Sequence, residues 1–273
     1  MKAQSVSDLS FEELVSYPKV MVVGATDVGK STFVKNFASF MVERGMRCWV
    51  ADFDVGQTDI GPVGTLGIAE AEAGFTLLGE LEPQFLFFTG YPSPGEDLVS
   101  FLMGVRKLAL FIRKQAVDRV VFDTTGWVKG YQALQIKLFK MDVIRPNLVI
   151  LVGEEVWGWQ KIVEGLGIDV MLCTPSRFVV AKDAAKRRIN RYQATVSYFD
   201  DAPLVKVDLT PFVLWGRSFD DVDKRLIGFF DRGFNTVAVG WIQGLKEETL
   251  LVKLKTLTGK KPVFFRIGAK IEL

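Results

Sequence analysis

The segment Lys19–Ser31, KVMVVGATDVGKS, decides the fold, because it joins a short apolar run to a glycine-rich turn. Lys19–Val23 has the length and apolarity of a buried strand. Gly24–Ser31 has the spacing G-x-x-x-x-G-K-[ST], and apolar residues recur at helical spacing from Lys30 to Gly45. In a strand–loop–helix unit of this kind, backbone N–H groups curl around phosphate oxygens at the positive end of a helix. The segment therefore predicts nucleotide phosphate binding.

Within this loop, we expect Lys30 to neutralise the β- and γ-phosphates and the Ser31 hydroxyl to ligate Mg²⁺. The predicted phosphate-binding residues are Gly24, Thr26, Asp27, Val28, Gly29, Lys30, Ser31 and Thr32.

Apolar runs and amphipathic stretches alternate after the loop. The predicted strands are Arg47–Phe53, Gln84–Thr89, Asp118–Asp123, Asn147–Val152 and Ile168–Cys173. Helices are predicted within Glu96–Ala116 and near Tyr131–Met141, and the stretch GQTDIGPVGTLG between the second and third strands is interpreted as a Gly- and Pro-rich connection. This alternation predicts an α/β fold of the P-loop NTPase type, with a parallel sheet covered by helices on both faces.

The pattern changes near Asp200. Short β-rich runs separated by turn residues follow: LVKVDL, RLIGFFD, NTVAVGWIQ, ETLLVKLK and PVFFRIG. We therefore expect a P-loop domain over residues 1–200 and a small, antiparallel β-rich domain over residues 201–273. No chemistry is assigned to this second part.

The composition excludes several classes of site. The chain of 273 residues has no histidine, which argues against a Ser-His-Asp triad and against histidine-ligated metals. Cys48 and Cys173 are predicted to be buried thiols of a reducing compartment. A net charge of +2 means that any basic nucleic-acid footprint must be local. With no signal peptide pattern and no apolar run near the ~18 residues of a membrane span, we expect a soluble, cytoplasmic protein.

Acidic residues follow two of the predicted strands. Asp52 and Asp54 end the second strand, and Asp123 ends the run VVFD like the carboxylate of a Walker B segment. In an open α/β sheet, the carboxyl ends of the strands face the ligand crevice. One carboxylate there could accept a proton from an attacking hydroxyl, and another could hold Mg²⁺ through water.

A basic segment lies before the β-rich part. Arg177–Arg191 contains six basic residues and one acidic residue, a net charge of +5. Arg187 and Arg191 are four residues apart and share a helix face, with Arg188 about 100° away. The alternative to a functional role is a solvated, charged helix.

Four motifs occur in order: GATDVGKST, DFDVGQ, FFTGYPSPGED and DTTGWVKGYQAL. Together they resemble the polynucleotide 5'-hydroxyl-kinase family, which includes the kinase subunit of the mRNA cleavage factor and a nucleolar ribosomal-RNA-processing kinase. The resemblance covers roughly Lys19–Phe199. It implies a P-loop, an acidic D-x-G-Q segment, a clasp over the nucleotide's loop, a substrate-side Gly-Trp segment and an arginine lid.

The resemblance also implies roles for single residues. Asp54 of the D-x-G-Q segment is the favoured base or Mg²⁺-linked carboxylate, with Asp52 as the second choice. Arg187 and Arg191 match the lid, where Asp183 stands in place of a frequent serine. The catalytic set implied is Lys30, Asp54, Arg187 and Arg191; the metal set is Ser31, Asp54 and Asp123; the substrate set is Asp52, Gln57, Ser93, Pro94, Gly95, Trp127 and Lys129.

The alternatives differ from residue to residue. Trp127 either stacks on a nucleobase or packs in the core. Thr89–Asp97, the clasp, is either functional or an ordinary Pro/Gly turn. Larger relatives have an additional N-terminal domain, whereas about 18 residues precede the first strand here, so we expect any partner surface of that domain to be absent.

The predicted function is an ATP- and Mg²⁺-dependent kinase of the 5'-hydroxyl ends of RNA, DNA or both, with protein partners unknown. A non-catalytic, ATP-binding scaffold of an RNA-processing complex is the main alternative. A regulatory GTPase is disfavoured because the sequence has no N-K-x-D motif. A kinase of small metabolites would be distinguished by competition with oligonucleotides.

Overall fold

The computed structural model describes residues 4–115, 117–246 and 249–272. The strands are β1 Gln4–Ser5, β2 Lys19–Gly24, β3 Cys48–Phe53, β4 Thr65–Glu70, β5 Pro83–Phe88, β6 Arg119–Thr124, β7 Leu148–Val152, β8 Asp169–Thr174, β9 Leu204–Val207, β10 Val213–Leu214, β11 Arg225–Phe230, β12 Thr236–Lys246, β13 Thr249–Thr256 and β14 Phe264–Lys270. The helices are α1 Lys30–Glu43, α2 Leu98–Arg113, α3 Tyr131–Ile144, α4 Glu154–Trp157, α5 Gln160–Gly165 and α6 Ala184–Tyr198, with short 3-10 turns at Val6–Asp8, Phe11–Leu14 and Leu78–Glu80. Ala116 and Glu248, at the ends of two predicted elements, lie outside the described residues.

The first sheet is mainly parallel, in the order β1-β8-β7-β2-β6-β3-β4-β5. β2 lies between β7 and β6, and all three run parallel. This arrangement confirms the predicted α/β fold. The side chains of β2 alternate between two apolar layers, with Val20 and Val22 in the layer that contains Phe37 of α1, and Met21 and Val23 in the layer that contains α2 and α3. Helices therefore cover both faces, as expected for a buried parallel sheet.

Three strands were not predicted from the sequence: the two-residue strands β1 and β10 and the six-residue strand β4. β4 lies at the end of the stretch interpreted as a Gly- and Pro-rich connection, and it pairs antiparallel with both β3 and β5. Gly67 explains the error, because it is part of a strand and not of a turn. A Cβ there would lie 2.4 Å from the carbonyl oxygen of Ile60, so glycine is required by close packing. Gln84–Thr89 is correspondingly antiparallel to its neighbour.

The second sheet has the order β10-β14-β11-β12-β13-β9 and is antiparallel except for the β10–β14 pair. It packs on β5 of the first sheet. Phe88 lies against Gly228, where a Cβ would be 2.2 Å from the Phe88 ring, and the Phe88 N–H donates to Thr236 Oγ1 at 2.9 Å. Leu226 and Phe230 join the same apolar core as Phe88. The C-terminal β-rich part therefore shares a core with the parallel sheet.

No helix within the described part of the chain combines the length and the apolarity that crossing a bilayer requires.

Candidate active site

The G-x-x-x-x-G-K-S loop connects β2 to α1. Asp27 (φ 55°) and Gly29 (φ 97°) both adopt left-handed backbone conformations, which curl the loop before the helix begins at Lys30. A Cβ on Gly24 would lie 2.5 Å from the carbonyl oxygen of Val152, so the loop leaves the sheet in close contact with β7. Lys30 Nζ is buried and donates to the carbonyl of Ala25 at 2.7 Å. The loop therefore directs both a helix N-terminus and an ammonium group toward one point.

Ser31 and Asp123 meet at this point. Because β2 and β6 are neighbours in the sheet, Asp123 at the end of β6 accepts a hydrogen bond from Ser31 Oγ. The Thr124 N–H donates to its other oxygen at 2.7 Å. Burial raises the pKa of Asp123, against the opposing effects of Lys30 and of the Ser31 hydrogen bond. A hydroxyl and a carboxylate thus adjoin the P-loop lysine, as the motif predicts.

The two acids after β3 have different surroundings. Asp52 is buried and accepts hydrogen bonds from its own loop: its Oδ1 from the Asp54 N–H at 2.8 Å, and its Oδ2 from the Asp59 N–H at 2.7 Å and from Thr58 Oγ1 at 2.9 Å. Burial raises the pKa of Asp52, and the carboxylate of Asp123 adds to this effect. Asp52 therefore organises the loop on which Asp54 lies.

Asp54 is half-buried and borders a cavity. Its Oδ1 accepts hydrogen bonds from the backbone N–H groups of Gly56 at 3.1 Å and Gln57 at 3.2 Å. These two bonds set the orientation of the carboxylate. Asp54 is consequently better placed than Asp52 to meet a molecule in the cavity.

The cavity has a volume of about 190 Å³ and brings the four sequence motifs together. Its lining is Thr26, Asp54, Gly56, Gln57, Pro92, Ser93, Pro94, Thr125, Gly126, Trp127, Arg187 and Arg191. The lining does not include Lys129, whose side chain is exposed, nor Asp52, Asp123, Lys30 and Ser31. The cavity joins acidic, basic and aromatic side chains beside the P-loop.

The lid contacts the P-loop directly. Arg187 donates from Nη2 to Asp27 Oδ2 at 2.8 Å, and the Lys182 N–H donates to the same oxygen at 2.9 Å. Asp183 caps α6 by accepting from the Lys186 N–H at 2.7 Å, and aspartate is as suitable as serine for an N-cap. Arg191, one turn after Arg187, also reaches the cavity, as the predicted helix face requires.

Trp127 and the clasp form the opposite wall. Trp127 is half-buried, packs against the apolar core and donates from Nε1 to the carbonyl of Lys129 at 3.1 Å. A Cβ on Gly95 would lie 3.6 Å from the indole ring, so the clasp passes close to this side chain. Trp127 therefore both packs against the apolar core and borders the cavity, and stacking on a nucleobase stays a prediction.

Comparison with known proteins places these features in a family. The profile of the mRNA cleavage and polyadenylation factor CLP1 P-loop matches residues 24–201, which contain the P-loop, the clasp and the lid. The chain belongs to this family.

Three relatives show how similar this CLP1-family chain is in sequence to known proteins. The polyribonucleotide 5'-hydroxyl-kinase of Pyrococcus furiosus is 30% identical over 76% of this chain and 58% of its own length. The polyribonucleotide 5'-hydroxyl-kinase of Thermococcus kodakarensis is 31% identical over 76% of this chain and 59% of its own length. The CLP1 homolog of Arabidopsis thaliana is 28% identical over 77% of this chain and 49% of its own length. The chain therefore spans about half to three-fifths of the length of these relatives.

The solved structure of wild-type Clp1p in complex with Pcf11p has the same fold. It superposes with a TM-score of 0.76, covering 95% of this chain and 76% of that one, at 14% sequence identity.

The sequence analysis missed two buried lysines on α3 of this CLP1-family chain. Lys137 Nζ donates to the carbonyl of Thr125 at 2.5 Å and to the hydroxyls of Thr124 and Thr125 at 3.2 and 3.1 Å. It ties the helix to the segment that borders the cavity. Burial lowers the pKa of Lys137 well below its usual value, with a further contribution from Lys140.

Lys140 Nζ has no hydrogen-bond partner among the residues that the structure describes. It lies 4.9 Å from the ring centre of Phe53 and 4.8 Å from that of Phe101. Burial lowers its pKa to about 7, although the carboxylates of Asp54, Asp123 and Asp52 act in the opposite direction. The sequence held a usable signal, since both lysines share the spacing of the buried residues Ala133, Ile136, Met141 and Ile144.

Proposed function

We propose that this chain is an ATP-dependent polynucleotide 5'-hydroxyl kinase, which transfers the γ-phosphate of ATP to the 5'-hydroxyl end of RNA, DNA or both. The observation that carries the proposal is the convergence of Asp54, Arg187, Arg191 and Trp127 on one cavity beside the P-loop. The names of the Pyrococcus and Thermococcus relatives, both polyribonucleotide 5'-hydroxyl-kinases, support the same reaction.

In this proposal, the P-loop holds the donor. The N–H groups of the loop and Lys30 Nζ bind the β- and γ-phosphates of ATP, because a helix N-terminus and an ammonium group face the same point. The terminal hydroxyl oxygen of the polynucleotide forms the new bond to the γ-phosphorus. The bond from this phosphorus to the bridging oxygen breaks, and ADP leaves.

Asp54 is the proposed base, and it accepts the proton of the attacking hydroxyl. Its carboxylate is oriented by the N–H groups of Gly56 and Gln57 and borders the cavity. A positioned carboxylate of this kind contributes about 10²–10⁴-fold to a transfer rate. Asp52, whose oxygens accept hydrogen bonds from its own loop, is proposed to act through Asp54 by holding that loop.

Arg187 and Arg191 are the proposed lid arginines, which neutralise the negative charge of the phosphoryl group in transfer. The ion pair between Arg187 and Asp27 supports this role, because it holds the guanidinium against the P-loop. A guanidinium already in position costs little reorganisation when the reaction occurs.

The oxygen donors beside the P-loop fit Mg²⁺. Within residues 4–115, 117–246 and 249–272, no three His, Cys, Asp or Glu side chains gather in a metal-binding cluster. Mg²⁺, however, is commonly bound by one or two protein oxygens together with substrate phosphates and water. Ser31 and Asp123 are the proposed ligands, with Asp54 nearby. The hydrogen bond from the Ser31 hydroxyl to Asp123 supports the fit, because it holds the two oxygens close enough together to bind one cation. Bound Mg²⁺ would neutralise charge on the phosphates.

The acceptor is proposed to lie between the clasp and Trp127. Base stacking on the indole is worth about 1–3 kcal/mol, and Ser93, Pro94, Gly95 and Gln57 would contact the end of the strand. Lys129 is proposed to bind the backbone further along, because its side chain is exposed outside the cavity. We propose residues 1–200 as the kinase domain and residues 201–273 as the β-rich C-terminal domain. The cytoplasmic location stays a prediction, and no protein partner is proposed.

The test is transfer of label from γ-labelled ATP to matched RNA and DNA oligonucleotides with 5'-hydroxyl ends. We expect label at the 5' end of at least one of them, competed by oligonucleotides and not by nucleosides. The Lys30→Ala variant should abolish transfer, whereas Lys35→Ala, on the same helix, should retain it. Tight retention of ATP without transfer to any acceptor would contradict the kinase and favour an ATP-binding scaffold.

A further inference from the structure

The clasp, Thr89–Asp97, joins β5 to α2 and forms one wall of the cavity through Pro92, Ser93 and Pro94. Contacts within the clasp are local. The Glu96 N–H donates to the carbonyl of Ser93 at 3.1 Å, and the Gly95 N–H donates to Ser93 Oγ at 3.3 Å. These bonds shape the tip of the turn but do not determine how the whole segment stands over the cavity.

Both ends of the clasp are bound by one arginine of the C-terminal sheet. Arg266, on β14, donates from Nη1 to the carbonyl of Thr89 at 3.1 Å and from Nη2 to Asp97 Oδ2 at 2.6 Å. Nη1 also donates to the hydroxyl of Ser100 in the first turn of α2. The guanidinium therefore bridges the first and last residues of the clasp.

The rest of the C-terminal sheet holds this guanidinium in place. Arg266 is 5% exposed, its Nε donates to the carbonyl of Trp215 at 3.3 Å, and the Trp215 ring lies 4.6 Å from its central carbon. Beside it, the Ala269 N–H donates to the carbonyl of Gly90 at 2.7 Å. Burying a guanidinium lowers the stability of a protein unless its N–H groups are hydrogen-bonded. The clasp supplies acceptors for Arg266, and Arg266 in turn holds the clasp.

We propose that Arg266 is a positioning residue for the acceptor site, which holds the clasp over the cavity from the C-terminal sheet. The proposal rests on the proposed kinase function, and it gives the β-rich part a role in binding the polynucleotide end without contact with it. Arg266 does not line the cavity, so its effect passes through the clasp. ATP binding at the P-loop should depend on it much less.

The experiment compares Arg266→Lys with Arg119→Lys in the full chain. Lysine retains the charge but not the planar fork that spans two acceptors. Arg119 is a matched control, because it lies at the start of β6, donates to the carbonyls of Val15 and Asp118 and does not line the cavity. We expect Arg266→Lys to raise the KM for the oligonucleotide about tenfold or more, with the affinity for ATP changed less than about twofold. Arg119→Lys should change neither.

A second variant distinguishes loss of the Arg266–Asp97 ion pair from a general loss of folding. Asp97→Asn keeps a side-chain acceptor for the Ser100 N–H, which Asp97 now binds at 2.9 Å, but removes the ion pair with Arg266. It should raise the KM in the same direction. Combined with Arg266→Lys, it should add little further, because both changes break one interaction. Full additivity of the two changes would overturn the proposal.

Backbone amide exchange measured by mass spectrometry separates this inference from the kinase function, since it requires no activity. Faster exchange confined to the clasp and the first turn of α2 in Arg266→Lys supports the positioning role, even if the wild-type chain transfers no phosphate. Unchanged exchange in the clasp, or an equal increase throughout the chain, would overturn it.

Discussion

The P-loop side of the cavity takes its shape from residues close together in the chain, whereas the lid and clasp side is assembled across long sequence separations. Lys30 donates to a carbonyl five residues earlier. By contrast, Arg187 meets Asp27 across 160 residues, and Arg266 meets Asp97 across 169 residues. The P-loop side thus depends mainly on a local motif, whereas the lid and clasp side depends on the packing of α6 and the C-terminal sheet. Variants on the two sides should therefore differ in what they change.

The largest effect is expected at the acid that serves both sides. Asp54→Asn should lower kcat by about 10²–10⁴-fold, because the amide cannot accept the proton of the hydroxyl, while the free energy of unfolding changes little. Asp52→Asn should instead lower the free energy of unfolding by about 1–3 kcal/mol, because an amide N–H would face backbone donors. Single-turnover transfer and urea unfolding measure the two effects. If Asp52→Asn retained full stability and lost transfer, the assignment of the two acids would be wrong.

Variants of the lid arginines test the side of the cavity that is assembled across long sequence separations. Arg191→Ala should slow transfer by about 10²–10³-fold and weaken ATP binding far less, because the guanidinium acts on charge that develops in the reaction. Arg187→Ala should weaken ATP binding as well, since it also loses the ion pair with Asp27 of the P-loop. The control is Arg188→Ala, whose Nε donates to the carbonyl of Glu272. Single-turnover rates and ATP titration distinguish the three variants. Equal losses of transfer rate and ATP affinity in all three would indicate a general effect of charge.

Trp127 tests the acceptor wall. Trp127→Leu should raise the KM for the oligonucleotide by about tenfold through loss of base stacking, and Trp127→Phe should retain most of the affinity. ATP affinity should stay near the wild-type value. Trp157→Leu is the control, because that indole donates to the carbonyl of Cys173 on a different element. A rise in the KM for ATP equal to that for the oligonucleotide would contradict the assignment.

The last prediction concerns stability instead of transfer, at the buried lysine Lys140 near the acids. Burial lowers the pKa of Lys140 to about 7, whereas an unfolded lysine titrates near 10.4. Between these values the unfolded chain binds more protons, so the contribution of Lys140 to stability should rise with pH from about 7 to 10 and be constant below.

Lys140→Met should flatten this rise and increase stability most at or below pH 7. Urea unfolding from pH 6 to 9 measures it, with Lys35→Met as the control. An identical slope in the wild type and Lys140→Met would show that Lys140 is not the group responsible.

Much of the fold was accessible from the sequence. The strand and helix limits around the P-loop agree with the structure to within a residue or two, because apolar periodicity and a glycine-rich loop act locally. β4 was missed because Gly67 resembles a turn residue until the packing of Ile60 against it is known. Lys137 and Lys140 were missed because lysine is ordinarily exposed, and their burial depends on the contact of α3 with the sheet.

The sequence by itself determined the P-loop, the alternation of strands and helices and the acids at the strand ends, since each depends on spacing over a few residues. The tertiary structure alone showed that Asp52 is buried in its own loop while Asp54 borders the cavity, paired Arg187 with the P-loop and placed Arg266 against both ends of the clasp. These relations depend on hydrogen-bond geometry and burial between distant segments, which residue type and spacing do not encode.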